Sequence, residues 1–248
     1  MTAILETRGL TRRFGGVVAV DQINLTVNEG ELRCLIGPNG AGKSTLFKCL
    51  THQLKPSSGE IRFNGRDLKG LAPHRIARMG VAIKNQIPSV YGGLSVRENI
   101  WLAARRTHYG RALDTTVAKA LTEIGFETAE RTAAKVDALS HAHRQWMELG
   151  MLLVSEPKLA LLDEPTAGMT RDEMLKTVRI IQKLNQTSTI IVVEHDLEFI
   201  SLLAKRVTVL HRGRVLVEDT MDKVAQNPAV RQIYLGSQWQ PPTSVPVQ

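Results

Sequence analysis

Gly37-Pro38-Asn39-Gly40-Ala41-Gly42-Lys43-Ser44-Thr45 fits GxxxxGK[ST] in full and stands between an apolar run, Leu32 to Ile36, and a helical pattern that starts at Lys43. Few segments constrain a fold as tightly, because strand, glycine-rich turn and helix must follow in that order. Glycine lets the backbone curl until its N–H groups surround a phosphate, and the following helix turns the positive end of its dipole toward the same anion. In such a loop Lys43 reaches the β- and γ-phosphates and the Ser44 hydroxyl ligates Mg²⁺. A glycine-rich turn that merely precedes a helix is the alternative, and the complete match in a strand-to-helix context speaks against it.

Around this unit the apolar pattern changes period. Alternation in Ile4 to Leu10 and Val17 to Val27 predicts antiparallel strands, followed by Leu32 to Ile36 and, after Gly59, Ile61 to Phe63. From Leu94 to about Val154 the pattern is helical, opened by a Ser95/Glu98 capping box and continued through Ile100, Leu102, Ala103 and Ala104. Leu159 to Leu162 and Thr189 to Val193 are apolar strands separated by a helix through Met174, Leu175, Val178, Ile181 and Leu184, which implies a parallel sheet. Asp196 caps a further helix, and Val207 to Leu210 with Arg214 to Val217 flank a hairpin signal at His211-Arg212-Gly213. The expected organisation is an α/β core over about 1–86 and 155–236, an antiparallel β region at its N-terminal end, an inserted helical lobe over about 94–154, and a frayed tail at 237–248.

No apolar run reaches a membrane-spanning length and the first residues lack a signal-peptide pattern, so a cytosolic chain is expected. Cys34 and Cys49 sit in apolar surroundings that suit core packing better than a disulfide or a metal site. The formal charge of +8 is uneven: residues 1–124 carry 18 Lys/Arg against 9 Asp/Glu, and the remainder 14 against 15. A basic half suits nucleotide, nucleic acid or an anionic membrane. No Lys/Arg run interleaved with aromatics appears, so a solvated surface is the expectation.

Asp163 and Glu164 end a buried run, so they emerge at the carboxyl edge of a strand, where open α/β sheets bind ligands. There Asp163 would serve a Mg²⁺ shell, directly or through water, and Glu164 would polarise an attacking water. A plain turn after the strand is the other reading. His195 follows Thr189 to Val193 to the same kind of edge, suited to touching a γ-phosphate or orienting water, although a lone histidine near a helix start is more often a surface residue. Gln86 follows Val81-Ala82-Ile83 and its amide suits sensing metal or water. Phe14, before a glycine pair, offers a ring for adenine, with core packing the commoner fate. Ser140, in Leu139-Ser140-His141-Ala142-His143-Arg144-Gln145, offers a hydroxyl and helix N–H groups to an anion, as a plain N-cap would.

In this order and along nearly the whole chain, these residues resemble the ATP-binding subunits of ABC transporters. The resemblance implies an adenine-stacking aromatic at Phe14, Walker A at Gly37 to Thr45, a Q-loop at Gln86, a signature at Leu139 to His143, Walker B ending at Asp163, a catalytic glutamate at Glu164 and a switch histidine at His195. It implies ATP and Mg²⁺ as cofactors, the latter near Ser44, Gln86 and Asp163. Met147-Glu148-Leu149-Gly150-Met151-Leu152-Leu153, the Glu164-Pro165-Thr166-Ala167-Gly168-Met169-Thr170 stretch and the Asn227-Pro228 to Tyr234-Leu235-Gly236 ending look like the branched-chain amino acid and urea uptake group, most like the urea type. Such subunits close head to tail in pairs around two ATP molecules, one subunit's Walker A facing the other's signature, and move transmembrane permease subunits through a contact near the Q-loop. The resemblance therefore implies permease partners, a second ATP-binding subunit in a heterodimer (or a homodimer in isolation), a periplasmic binding protein acting indirectly, no nucleic acid, and a peripheral place on the cytoplasmic side of the inner membrane.

The signature departs from the family's LSGGQ or LSHGQ: Ala142 replaces the second glycine and His143 the glutamine. If position 142 required φ > 0, alanine would cost about 1–2 kcal/mol; if it is helical, alanine costs nothing. His143 replaces an amide with a group that titrates. Because the signature serves the partner's nucleotide, the expectation is one competent and one weakened site. Thr170 also stands where many relatives carry Asp. A DNA-repair or translation ATPase would carry tandem cassettes or long coiled-coil insertions, a small GTPase an NKxD motif, and the chain has neither. A weakly hydrolysing regulatory subunit is the remaining rival.

Overall fold

The computed structural model describes residues 2–234, so the expected frayed tail at 237–248 and Leu235-Gly236 of the C-terminal resemblance lie outside the described residues. In chain order the elements are β1 (Ala3–Phe14), β2 (Val17–Asn28), β3 (Leu32–Ile36), α1 (Lys43–Leu50), β4 (Ser58–Phe63), β5 (Arg66–Asp67), α2 (Pro73–Arg78), β6 (Val81–Lys84), α3 (Val96–Ala104), α4 (Gly110–Glu123), α5 (Ala129–Ala133), a 3₁₀ turn at Val136–Ala138, and α6 (His141–Ser155). They continue as β7 (Leu159–Asp163), α7 (Arg171–Asn185), β8 (Thr189–Val193), α8 (Leu197–Leu203), β9 (Arg206–His211), β10 (Arg214–Asp219), α9 (Met221–Gln226) and α10 (Pro228–Tyr234).

The chain packs as two compact units. One holds Ala3–Val27, Leu32–Leu71 and the described residues from Val193 onward. Its antiparallel part has the order β2-β1-β4-β5, with Leu5 opposite Phe63 and Thr7 opposite Ile61. Leu5, Thr7 and Leu10 of β1 and Val20, Ile23, Leu25 and Val27 of β2 are in the core, the alternation changing parity once in each strand, at the register shift between Arg8 and Thr11 and at Gln22 (φ +51°). The other sheet segment is β10-β9-β3: β3 lies parallel to β9, with Ile36 opposite Val209, while β10 returns antiparallel along β9. All five residues of β3 are buried, as a strand covered on both faces requires.

The other unit holds Asn28–Glu31 and Ala72–Val192. Its strands run in the order β8-β7-β6, and the β6–β7 pair is parallel in the register Val81↔Leu159, Ile83↔Leu161, Lys84↔Leu162. The helices α3 to α6 pack beside them. Ser95 accepts from the Glu98 amide and Glu98 accepts from the Ser95 amide at 2.7 Å, which forms the capping box expected for α3. The stripe that α3 buries is Val96, Asn99, Ile100 and Ala104. Leu102, read as part of that stripe, is 39% exposed because it lies on the opposite side of the turn. Gly150 marks the closest packing of α6: a Cβ there would meet the Ile100 and Ile124 methyls at 2.9 and 3.0 Å.

Candidate nucleotide-binding site

The register of β3 against β9 carries Gly37 alongside Leu210, where a Cβ would meet the Leu210 carbonyl oxygen at 2.5 Å. The loop then turns through Gly40 (φ +79°) and Gly42 (φ +102°) into α1. Both angles belong to the region that side chains with a Cβ avoid. At Gly42 there is also no room, since a Cβ would stand 2.2 Å from the Ala19 carbonyl oxygen of β2. The turn between β9 and β10 holds the loop from another side: Gly213 N–H donates to the Ala41 carbonyl at 3.0 Å, and its own carbonyl accepts from Asp21 N–H at 2.8 Å. Arg212 and Gly213 both have positive φ, as the hairpin signal at 211–213 predicts.

Gly42 caps α1 with no side-chain acceptor, and α1 has no acidic residue in its first turn. Its opening therefore keeps a helix N-terminus's affinity for anions. Lys43 Nζ donates to the carbonyls of Gly37 and Pro38, at 2.5 and 3.1 Å, which holds the ammonium against the loop. Ser44 is exposed and Thr45 half-buried.

In the same unit, Phe14 ends β1 just before the Gly15-Gly16 turn. It is 44% exposed, not in the core as an isolated phenylalanine would be expected, because the strand carries it past the last buried register position. The Arg12 guanidinium lies 4.5 Å from its ring centroid. His195 is exposed just past the buried Glu194, whose carboxylate accepts from the His195 amide at 3.0 Å and stands 3.7 Å from its Nδ1.

In the other unit the β6–β7 register decides what meets. Lys84 is opposite Leu162, so both chains leave the sheet at the same edge and Gln86 and Glu164 emerge in step. Gln86 Nε2 donates to Glu164 Oε2 at 2.8 Å. Glu164 holds φ +44°, an uncommon conformation for glutamate that turns its carboxylate back toward the neighbouring chain. Asp163, the last residue of β7, is half-buried beside it.

The loop after Gln86 is shaped by side chains that the sequence reading missed. Gln145, fully buried on α6, donates from Nε2 to the Gln86 carbonyl at 3.2 Å, and Glu148, one turn on, accepts from Ser89 N–H at 3.0 Å. Asn99 of α3 pairs with Tyr91 as a strand would, accepting from its N–H at 2.9 Å and donating to its carbonyl at 3.1 Å. Buried Lys84 stands 3.8 Å from the Glu148 carboxylate. Burial pushes the Glu148 carboxyl above the usual carboxylate range, against the pull of Lys84 and the Ser89 amide. The signal was available: Gln145 and Glu148 are polar residues at i and i+3 on the otherwise apolar face of α6.

The signature departures resolve locally. Ser140 is the N-cap of α6, accepting from the His143 amide at 3.3 Å, and its hydroxyl lies 2.7 Å from His143 Nδ1. Ala142 is inside the helix with its side chain buried, so it carries no left-handed strain. His143 makes edge contacts with Phe126 and Trp146, at centroid separations of 5.4 and 5.1 Å. That burial, reinforced by Lys176 and Arg131, lowers its pKa, so near neutral pH it is an uncharged ring rather than a cation. Thr170 accepts from the Glu173 amide and, with the Glu173 carboxylate, forms a capping box for α7. Cys34 and Cys49 are buried and unpaired by disulfide, as expected; burial raises both thiol pKa values, that of Cys49 to about 11.

A family model described as ABC transporter matches residues 20–167. The high-affinity branched-chain amino acid transport ATP-binding protein BraF of Pseudomonas aeruginosa is 33% identical over 252 residues, covering 94% of this chain and 98% of its own length. This chain belongs to the ABC transporter ATP-binding family. It is an ATPase coupled to transport across a membrane. The similarly named LivG of Salmonella typhimurium is 32% identical over 249 residues, covering 94% of this chain and 98% of its own. A nucleotide-free ATP-binding cassette from an ABC transporter superimposes with a TM-score of 0.82 at 25% identity, covering 95% of this chain and all of that one. The α/β cassette fold expected from the sequence is thus shared with a solved member of the family. Among the described residues no helix is long and apolar enough to cross a membrane.

Proposed function

We propose that this chain is the motor subunit of an importer for a branched-chain amino acid, acting from the cytoplasmic side of the membrane with permease subunits, a second ATP-binding subunit and, indirectly, a periplasmic binding protein. The stretches quoted above point by resemblance to a urea carrier. BraF and LivG are named for branched-chain amino acids, and that cargo is the one we put forward. The observation that carries the ATP assignment is the backbone at Gly42, which a residue with a Cβ could occupy only under strain and by displacing Ala19, and which places Lys43 and Ser44 at the uncapped start of α1.

The donor set fits Mg·ATP. Ser44 in one unit and Asp163 and Gln86 in the other are the oxygen donors that the resemblance assigns to Mg²⁺, in keeping with an ion that keeps waters and takes phosphate oxygens, and residues 37–45 supply the backbone cradle. Bound there, Mg·ATP supplies a phosphoryl group whose charge the metal neutralises. Lys43 would bind the β- and γ-phosphates, Phe14 would receive adenine on the ring face that Arg12 leaves, Glu164 would hold the attacking water and take its proton, and His195 would orient that water. The Gln86–Glu164 bond means that Glu164 must exchange an amide partner for water before acting. Ser140 would serve the nucleotide on the partner's Walker A.

Helical Ala142 and uncharged His143 weaken the case for a purely regulatory subunit. What His143 lacks is the flexible amide of glutamine, so the asymmetry between the two sites falls on that one group. In the assembled complex, Glu164→Gln should remove most ATP turnover; if half or more survives, the two sites are not asymmetric in this way. Lys43→Ala should abolish tight ATP binding, and unchanged affinity would contradict its role. For the cargo, cells lacking this chain should regain uptake of labelled leucine when it is restored. Regained urea uptake without leucine uptake would refute the branched-chain assignment.

A further inference from the structure

The surplus of cations in residues 1–124 has no place in the nucleotide chemistry, and the structure gathers part of it with aromatics in a way the linear reading overlooked. Leu102, Arg105 and Arg106 follow helical spacing at the end of α3, and all three are exposed. Arg105 lies 4.7 Å over the ring of Trp101. Arg106 reaches α2, donating from Nη2 to the Ala77 carbonyl at 2.8 Å, and the next residue of α2, Arg78, is exposed. Tyr109, 76% exposed, begins the next helix a few residues on.

The acidic side chains of this neighbourhood have partners of their own. Glu98 is bound in the α3 capping box, Asp114 lies 3.6 Å from Arg97, and Glu156 lies 3.9 Å from His108. The patch thus presents arginines beside an exposed leucine, with the exposed Tyr109 four residues beyond Arg105 along the chain. Cations attract anionic surfaces, while an apolar chain and an amphipathic ring suit the boundary between headgroups and acyl chains. A nucleic-acid surface would want flat rings open to bases, and the Trp101 ring is covered by Arg105.

We propose that Arg78, Arg105, Arg106, Leu102 and Tyr109 form a contact surface for anionic phospholipid, so that this subunit touches the bilayer itself as well as its permease. This extends the reading of the chain as an importer motor, yet its test needs neither permease nor hydrolysis, so the two readings fail separately. The full-length chain is sedimented with phosphatidylcholine vesicles with and without phosphatidylglycerol. It should partition onto the anionic vesicles only and be released as salt shortens the Debye length. With about fivefold in partitioning for each cation removed, Arg105→Ala should bind about fivefold more weakly. Arg105→Glu with Arg106→Glu should bind at least about 25-fold more weakly, with nucleotide affinity retained as the check on folding. Tyr109→Ser should weaken vesicle binding several-fold while leaving binding to heparin unchanged. Equal binding to neutral vesicles, indifference to Arg105→Ala, or full displacement by single-stranded DNA with no effect of Tyr109→Ser would overturn the proposal, the last in favour of a nucleic-acid surface.

Discussion

Gly42→Ala and Gly40→Ala form a matched pair that separates two costs in the phosphate loop. Both glycines hold positive φ, +102° and +79°, so each alanine meets the left-handed penalty of about 1–2 kcal/mol. At Gly40 nothing lies within 4 Å of the added Cβ, and the penalty ends there. At Gly42 the Cβ would stand 2.2 Å from the Ala19 carbonyl oxygen, with Gly213 Cα at 3.5 Å behind, so neither neighbour can yield as a flexible side chain would. Relief requires β2 or the loop to move by roughly 1 Å, and displacements of packed backbone cost about 1–3 kcal/mol. Gly42→Ala should therefore lose about 2–5 kcal/mol in urea unfolding and Gly40→Ala about 1–2. Binding of a fluorescent ATP analogue should fall further in Gly42→Ala, because the shift occurs at the residue before Lys43. Equal stability of the two variants would refute the reasoning, since it would mean that the contact with Ala19 does not constrain the loop.

Other expectations follow from burial and capping. His143 has a lowered folded pKa, so the unfolded chain binds more protons as pH falls through about 6.5; stability should decline across that window and level off once the native ring protonates. His143→Gln should flatten that part of a stability-against-pH curve, and an unchanged curve would show that the ring is not held neutral. Cys34 and Cys49, both buried with raised thiol pKa values, should resist alkylation in the native chain and react together on unfolding, which mass spectrometry reads directly. Thr170→Ala removes the cap acceptor of α7 and should cost about 1 kcal/mol in a thermal melt; no loss would mean that the Thr170 hydroxyl does not hold the helix start.

The buried parallel strands were the most legible part of the fold. β3 and β8 were read with the bounds they have, because a strand covered on both faces has to be a continuous apolar run. β1 and β10 were read too short. β1 continues through Thr11-Arg12-Arg13 and β10 through Glu218-Asp219, residues held by cross-strand pairing with Ser58 and with Thr208-Val207 rather than by their own apolar pattern. The six residues of helix α2 are too few to complete a periodic stripe, and Pro73 at its first turn is the one start signal it carries.

Legibility of the site followed the same logic. Residues 37–45 carry their geometry in their glycines. The loop after Gln86 takes its shape from Gln145, Glu148 and Asn99, which are distant in sequence, and only folding brings them to it. The patch around Arg105 is hard to read from the linear sequence because Arg105 meets Trp101 across a helical turn and Arg106 meets α2 only through folding.

The in-step exit of Lys84 and Leu162 from the sheet has an evolutionary consequence. Residue types in β6 and β7 can drift while the strands stay apolar, but their lengths cannot. A single codon gained or lost between Val81 and Gln86, or between Leu159 and Glu164, would turn one of the two polar side chains to the opposite face of the sheet and end their pairing. Descendants of this chain should therefore exchange one apolar residue for another along the two strands and hardly vary at all in the length of these segments.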